Sequence, residues 1–189
     1  MKGLGLLSVI VSVFPAVHMT KIFVYGTLKK GQPNHFSMMD HANGQAEFVA
    51  HARTVDRYPL VIATKYNVPF LLNVPGTGQH VTGEIYSVDQ QMLEFLDWFE
   101  NCPQKYQRSR IRLEVQDGPG GGEHTPKAGS ADGPGGGEHT PKTGSSLEAF
   151  VYSTKTYEPE WLQKPTYESY DTNGDHGLRY VRREDRSPE

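Results

Sequence analysis

Residues 81–100 read VTGEIYSVDQQMLEFLDWFE, and a change of rhythm inside them decides the fold class. Residues 81–88 alternate as a half-buried strand does. From Asp89 the apolar residues fall at helical spacing, and Asp89 stands where an N-cap belongs, after the strand and before the first turn. This is the one convincing helix of the chain, spanning 89–100, and a second short one is expected after Asn34. Outward from this stretch the patterns are strand-like. Residues 21–25 form a β-branched and aromatic run ending in a glycine turn, and 46–55 alternate in part. Residues 60–63 and 70–74 are short apolar runs punctuated by Pro59, Pro69 and Pro75. Residues 108–115 place Ile111, Leu113 and Val115 on one face, and 147–152 answer them. Six or seven short strands with one or two helices imply an α+β fold, a small mixed β-barrel with flanking short helices. Beyond Tyr157 the aromatics have no period, so that stretch is expected to wrap the sheet irregularly.

Between the last two strands lie two copies of one unit. Residues 117–131 read DGPGGGEHTPKAGSA and 132–146 read DGPGGGEHTPKTGSS. Neither copy has an apolar residue larger than Ala or Pro, so neither is able to bury a core. The reading is a disordered, duplicated insertion at 117–146 in a hairpin connection. Glu123-His124 and Glu138-His139 lack the rigid geometry that a metal site needs, and no metal or other cofactor is expected.

The 189 residues have room for one domain, and it is placed at 19–186. Residues 1–18 form an extension with a lysine followed by an apolar run, the outline of a signal peptide. The run is short for a membrane span, and Ala16-Val17-His18 is a poor cleavage site. The favoured reading is an upstream start codon, with the working protein beginning at Met19. Secretion would follow if 1–18 acted as a signal peptide. A single cysteine, Cys102, excludes an intramolecular disulfide, and no Asn-x-Ser/Thr occurs, which suits a cytoplasmic protein. With a net charge of −3 and no basic block, a nucleic-acid surface is not expected, nor a membrane partner. Arg179, Arg182, Arg183 and Arg186 are interleaved with Glu184 and Asp185, which reads as a solvated tail.

The helix carries the sharpest chemical clue. At about 100° per residue from Leu93, Leu96 falls at about 300°, Met92 at about 260° and Phe99 at about 240°. Glu100 falls at about 340°, inside that apolar arc, while Glu94 and Trp98 point outward and Asp97 is marginal. A carboxylate on a core face is costly unless it is partnered or serves chemistry. Burial raises its pKa toward the range of a general base. The alternative is a helix end that frays and lets Glu100 point into water. The turn Tyr25-Gly26-Thr27-Leu28 is a second candidate, with backbone N–H groups available to an anion or a carbonyl oxygen. Its alternative is an ordinary turn after an edge strand. Phosphate-loop spacing, His-x-x-x-His, cysteine pairs and Gly-x-Ser-x-Gly are absent, and Cys102 has no evident histidine partner.

Taken in order, FVYGTLKKGQPNH (23–35), YPLVIA (58–63), VPFLLNVPGTG (68–78), TGEIYSVD (82–89) and LDWFE (96–100) resemble one family. YQR (106–108), FVY (150–152), PEW (159–161) and the SYD…HGLRY series (169–180) complete the resemblance. The family is the γ-glutamylamine cyclotransferase branch of the γ-glutamyl cyclotransferase-like, AIG2-like group. The resemblance implies a small mixed β-barrel and release of an amine, notably lysine, from γ-glutamyl-ε-lysine left by degraded transglutaminase-crosslinked proteins. The glutamyl part would close to 5-oxoproline. It also implies that Tyr25, Gly26, Thr27 and Leu28 bind substrate and that Glu100 is the catalytic base. The partner would be this small molecule alone, met by a monomer. Two rival readings are an enzyme acting on glutathione or γ-glutamyl amino acids, and a non-catalytic AIG2-like binding domain. Trp98, where family members often carry an acid, the stretch 181–186 and the insertion depart from the family pattern.

Overall fold

A computed structural model describes residues 18–118 and 141–187. Its elements run β1 (Thr20–Val24), α1 (Phe36–Met39), β2 (Ala46–Thr54), β3 (Leu60–Ala63), β4 (Val68–Leu71), β5 (Thr82–Val88), α2 (Gln90–Phe99), β6 (Gln107–Asp117) and β7 (Ser146–Ser153). Five strands close a barrel in the order β1-β5-β2-β6-β7. Neighbours are antiparallel except at the closure, where β7 runs parallel to β1 through Ile22↔Phe150 and Phe23↔Val151. Closure leaves these strands no free edge, which matters for a sheet built of short strands. The expected mixed barrel and its flanking short helices are thus present.

Strands β3 and β4 form a separate antiparallel pair. Here the structure shifts an expectation. The apolar run was placed at 70–74, after the interruption at Pro69, whereas β4 begins at Val68 and carries Pro69 opposite Ile62. In a two-stranded sheet each strand has one unpaired side, so a residue without an N–H is tolerated.

Alternate residues of the strands pack into two apolar clusters. Ile22 and Val24 join one cluster with Val61, Val88, Met92, Leu96 and Phe99, while Phe23 and Tyr25 join the other with Leu60, Ile85, Leu113 and Val151. Burial on both faces explains why β3 and β4 read as unbroken apolar runs. Gly83 marks the closest approach. A Cβ there would meet Val24 O at 2.4 Å and the Phe23 ring at 2.7 Å, so only glycine lets β5 lie against β1.

Strands β6 and β7 pair from Gln107↔Ser153 to Glu114↔Ser146, as the hairpin reading requires. Ile111, Leu113 and Val115 are all buried. The ladder continues into the ends of the duplicated unit, since Val115 N donates to Ser145 O and Gly144 N to Val115 O. Residues 119–140, where disorder was expected, lie outside the described residues, as do 1–17. Among the described residues no helix is long and apolar enough to cross a membrane.

The chain beyond β7 wraps the barrel with two short 3₁₀ turns, Pro159–Gln163 and Arg183–Asp185. It is held by scattered bonds instead of a ladder: Tyr167 N to Leu60 O, Thr82 N to Glu168 O and Val181 N to Tyr66 O.

Candidate active site

One cleft, enclosing about 560 Å³ of space that is partly open solvent, gathers both sequence candidates. Tyr25, Gly26, Thr27 and Leu28 line it together with Glu100.

Glu100 is held there by the way α2 ends. Asp89 caps the start of the helix, its carboxylate accepting from Met92 N at 2.8 Å. At the other end Asn101 adopts a left-handed φ of 51°. Asn101 N then donates to Trp98 O and Cys102 N to Asp97 O, the paired bonds of a Schellman closure. The helix end is therefore locked instead of fraying, and Glu100 keeps the orientation that the helical count assigns. Trp98 is 72% exposed, as expected of the outer face. The marginal Asp97 turns to structure: its carboxylate accepts from Tyr152 OH at 2.7 Å and pairs with Arg108 at 2.9 Å.

No hydrogen bond to the Glu100 carboxylate is made among the described residues, and Glu100 keeps part of its surface accessible. Burial pushes its pKa up to about 7, with Arg183 and Lys105 pulling the other way. A carboxylate titrating there is able to accept a proton and return it near neutral pH.

The turn owes its shape to its own carbonyls and to Asn34. Lys29 N donates to Gly26 O, Asn34 N to Thr27 O at 2.9 Å, and Asn34 Nδ2 to Thr27 Oγ1 at 2.9 Å. The N–H groups of Gly26, Thr27 and Leu28 meet no acceptor among the described residues. Gly26 sits in close packing: a Cβ would stand 3.0 Å from Pro69 Cγ, tighter than most real Cβ contacts. Tyr25 contributes differently. Its hydroxyl donates to Tyr152 O at 2.8 Å and accepts from Leu71 N at 3.2 Å. Burial, then the Glu100 charge, push its pKa far up, so the ring is a neutral wall of the cleft.

The structure also brings in residues that sequence reasoning missed. Lys105, Tyr106, Tyr152, Tyr180, Arg183 and Arg186 line the same cleft. Two of these correct the reading of a solvated arginine tail. Arg183 lies 4.1 Å over the Phe99 ring and bonds Phe99 O, and Arg186 stacks on Tyr66 and Tyr180. Tyr180 OH accepts from Asn34 Nδ2 at 3.1 Å, joining the C-terminal segment to the turn. The available signal was the aromatic and arginine content of 180–186, which alternation with acids disguised as surface. No three His, Cys, Asp or Glu side chains gather where they would hold a metal among the described residues.

Comparison with known proteins places the chain in a family. The family model described as γ-glutamyl cyclotransferase, AIG2-like, matches residues 22–128. The chain belongs to that family. It is similar to γ-glutamylaminecyclotransferase B of Danio rerio, 58% identical over 167 residues, covering 88% of this chain and 76% of that one. It is similar also to the γ-glutamylaminecyclotransferase of Homo sapiens, 47% identical over 168 residues, covering 89% of this chain and 100% of the relative. A crystal structure of an AIG2-like protein from Mus musculus superposes with a TM-score of 0.75 at 49% identity, covering 89% of this chain and 99% of that one. The family resemblance expected from the segments 23–180 and the expected barrel both hold.

Proposed function

We infer that this chain is a γ-glutamylamine cyclotransferase, which releases a free amine, notably lysine from γ-glutamyl-ε-lysine, and forms 5-oxoproline. The observation that carries the reading is an accessible carboxylate with no hydrogen-bond partner among the described residues, Glu100, lining the same cleft as the turn 25–28. The substrate's α-amine is the nucleophile and its γ-carbonyl the electrophile, so the protein has to fold the substrate and move protons. Glu100 takes a proton from the α-ammonium, and the freed amine attacks the γ-carbonyl carbon to close a five-membered ring. The tetrahedral intermediate then collapses. The bond to the departing nitrogen breaks while Glu100 returns the proton to it, and the ring nitrogen's second excess proton passes through Glu100 to the released amine, leaving 5-oxoproline and an ammonium.

The N–H groups of Gly26, Thr27 and Leu28 are suited to the glutamyl α-carboxylate, with Asn34 holding their spacing through Thr27. Tyr25 and Tyr106 wall the cleft with rings whose hydroxyls are engaged elsewhere, Tyr106 OH donating to Pro69 O at 3.2 Å. In this setting isopeptides left by the breakdown of crosslinked proteins are the natural substrates. The reading includes a cytoplasmic monomer, the single cysteine being in keeping with a reducing compartment.

The test is parallel incubation with γ-glutamyl-ε-lysine, glutathione and γ-glutamyl-alanine, measuring 5-oxoproline. Turnover of the isopeptide well above the other two is expected. Inactivity toward all three would leave the barrel as a binding domain, and preference for glutathione would make it a γ-glutamyl cyclotransferase of the glutathione type.

A further inference from the structure

One polar group in the cleft is both rigidly held and unanswered. Arg186 Nε donates to Val181 O at 3.2 Å. Its guanidinium lies 4.7 Å from the centre of the Tyr66 ring and 5.3 Å from that of Tyr180. Tyr66 is tied to the same segment twice, through its hydroxyl to Ser187 O and through its carbonyl to Val181 N. Yet Arg186 Nη2 is buried and finds no acceptor among the described residues. A guanidinium stays charged at any physiological pH, and a buried donor on it without an acceptor is unfavourable. Two rings and a carbonyl holding it in one place prepare a seat for an anion from outside the chain.

The turn is a second such seat, with the unanswered N–H groups of Gly26, Thr27 and Leu28. The cleft therefore offers two anion-receiving features from different parts of the chain, one at β1 and one near the C-terminus. A γ-glutamyl alkylamine carries one carboxylate. γ-Glutamyl-ε-lysine carries two, one beside the attacking α-amine and one at the far end of the departing lysine. The first belongs near Glu100, which must reach the adjacent ammonium. Arg183 and Lys105 are the charges that draw the Glu100 pKa back down.

We propose that Arg186 is a specificity-determining residue whose Nη2 receives the α-carboxylate of the departing lysine. The proposal rests on the cyclotransferase reading above and deepens it. Binding energy at that far carboxylate selects amino-acid amines linked through their side chains over simple alkylamines. An Arg–carboxylate contact made away from water is among the stronger polar contacts available.

The experiment compares three substrates, γ-glutamyl-ε-lysine, its lysine carboxamide, and γ-glutamyl-butylamine, in the full-length protein and in Arg186→Met and Arg186→Lys. In the unmodified protein, KM is expected to be about tenfold to a hundredfold lower for the carboxylate than for the carboxamide or butylamine. Arg186→Met should erase that difference while leaving kcat/KM for γ-glutamyl-butylamine within about threefold, and Arg186→Lys should restore part of it. Equal KM for carboxylate and carboxamide in the unmodified protein would overturn the proposal, even if neither variant folded. So would an equal loss on all three substrates in Arg186→Met, which would assign Arg186 to the shared glutamyl end or to packing. Inactivity of the unmodified protein on every γ-glutamylamine would refute the cyclotransferase reading instead.

Discussion

Glu100 and Glu84 are two carboxylates drawn into the same small barrel, and their surroundings differ in kind. Glu84, on β5, is 6% exposed, and its Oε2 accepts from Lys30 N at 2.9 Å and Tyr86 OH at 3.0 Å. It pins the chain leaving the turn to the barrel wall. Glu100 keeps accessible surface and accepts no hydrogen bond among the described residues. A buried carboxylate whose lone pairs are answered from within the chain builds the fold, and one left unanswered at the wall of a cleft is available to a substrate.

The largest expected effect breaks this contrast at its reactive end. Glu100→Gln should lower kcat/KM for γ-glutamyl-ε-lysine by about a hundredfold to ten-thousandfold, the usual contribution of a positioned base. Its melting temperature should stay level or rise, because the substitution removes a charge from an unfavourable place. A fall in melting temperature with activity intact would reverse the roles of the two acids. Glu84→Gln is the counterpart. It should destabilise the fold by about 1–3 kcal/mol in urea titration, through a weakened buried acceptor, while the folded fraction keeps most of its turnover.

The pH dependence sharpens the same comparison. As a base Glu100 must be ionised in the free enzyme, so kcat/KM should rise with pH through about 7 and then level. Its folded pKa lies above the ordinary carboxylate value of 4.5, so the protonated form is the one favoured by folding. The stability it contributes is full below about 4.5 and is lost as pH rises through about 7. Relative to Glu100→Gln, the unmodified protein should therefore lose melting temperature across that window. A gain would mean that Glu100 has an ion-pair partner in the fold.

Smaller effects test what holds the turn. Asn34→Ala removes the bonds to Thr27 Oγ1 and Tyr180 OH, so it should lower kcat/KM by about tenfold with a modest loss of stability. The smallest effect belongs to the duplicated unit. Excising residues 119–140 should leave turnover within about twofold, because its Gly- and Pro-rich sequence has no apolar side chain larger than Ala or Pro to pack. The excision stops short of 117, which pairs with His51 in the β2–β6 ladder, and of 144–146, which pair in or beside the β6–β7 ladder.

Glu100 was legible because a helix repeats. Once Asp89 marks the start, each side chain's direction follows from its count, and the Schellman closure keeps that count valid to the last residue. The strands were legible for the same reason, through alternation in 108–115 and unbroken apolar runs where both faces are buried. The turn 25–28 was less so. Its glycine answers to Pro69, a residue 43 positions away, and no local pattern reports such an approach. Glu84 passed unnoticed because an acid in an alternating strand looks the same whether it meets solvent or a backbone N–H.

By itself, then, the sequence determined the elements, their order, the inward acid and the family to which these belong, since each is written in local period or in ordered segments. Tertiary structure alone decided what surrounds that acid. The return of β7 alongside β1 and the wrapping of 154–187 bring Tyr180, Arg183 and Arg186 to a cleft whose other wall was made more than 80 residues earlier. An irregular segment has no repeat to reveal which way its side chains point. Arg183 and Arg186 read as surface until the fold supplied the rings, the carbonyls and the acid that they meet.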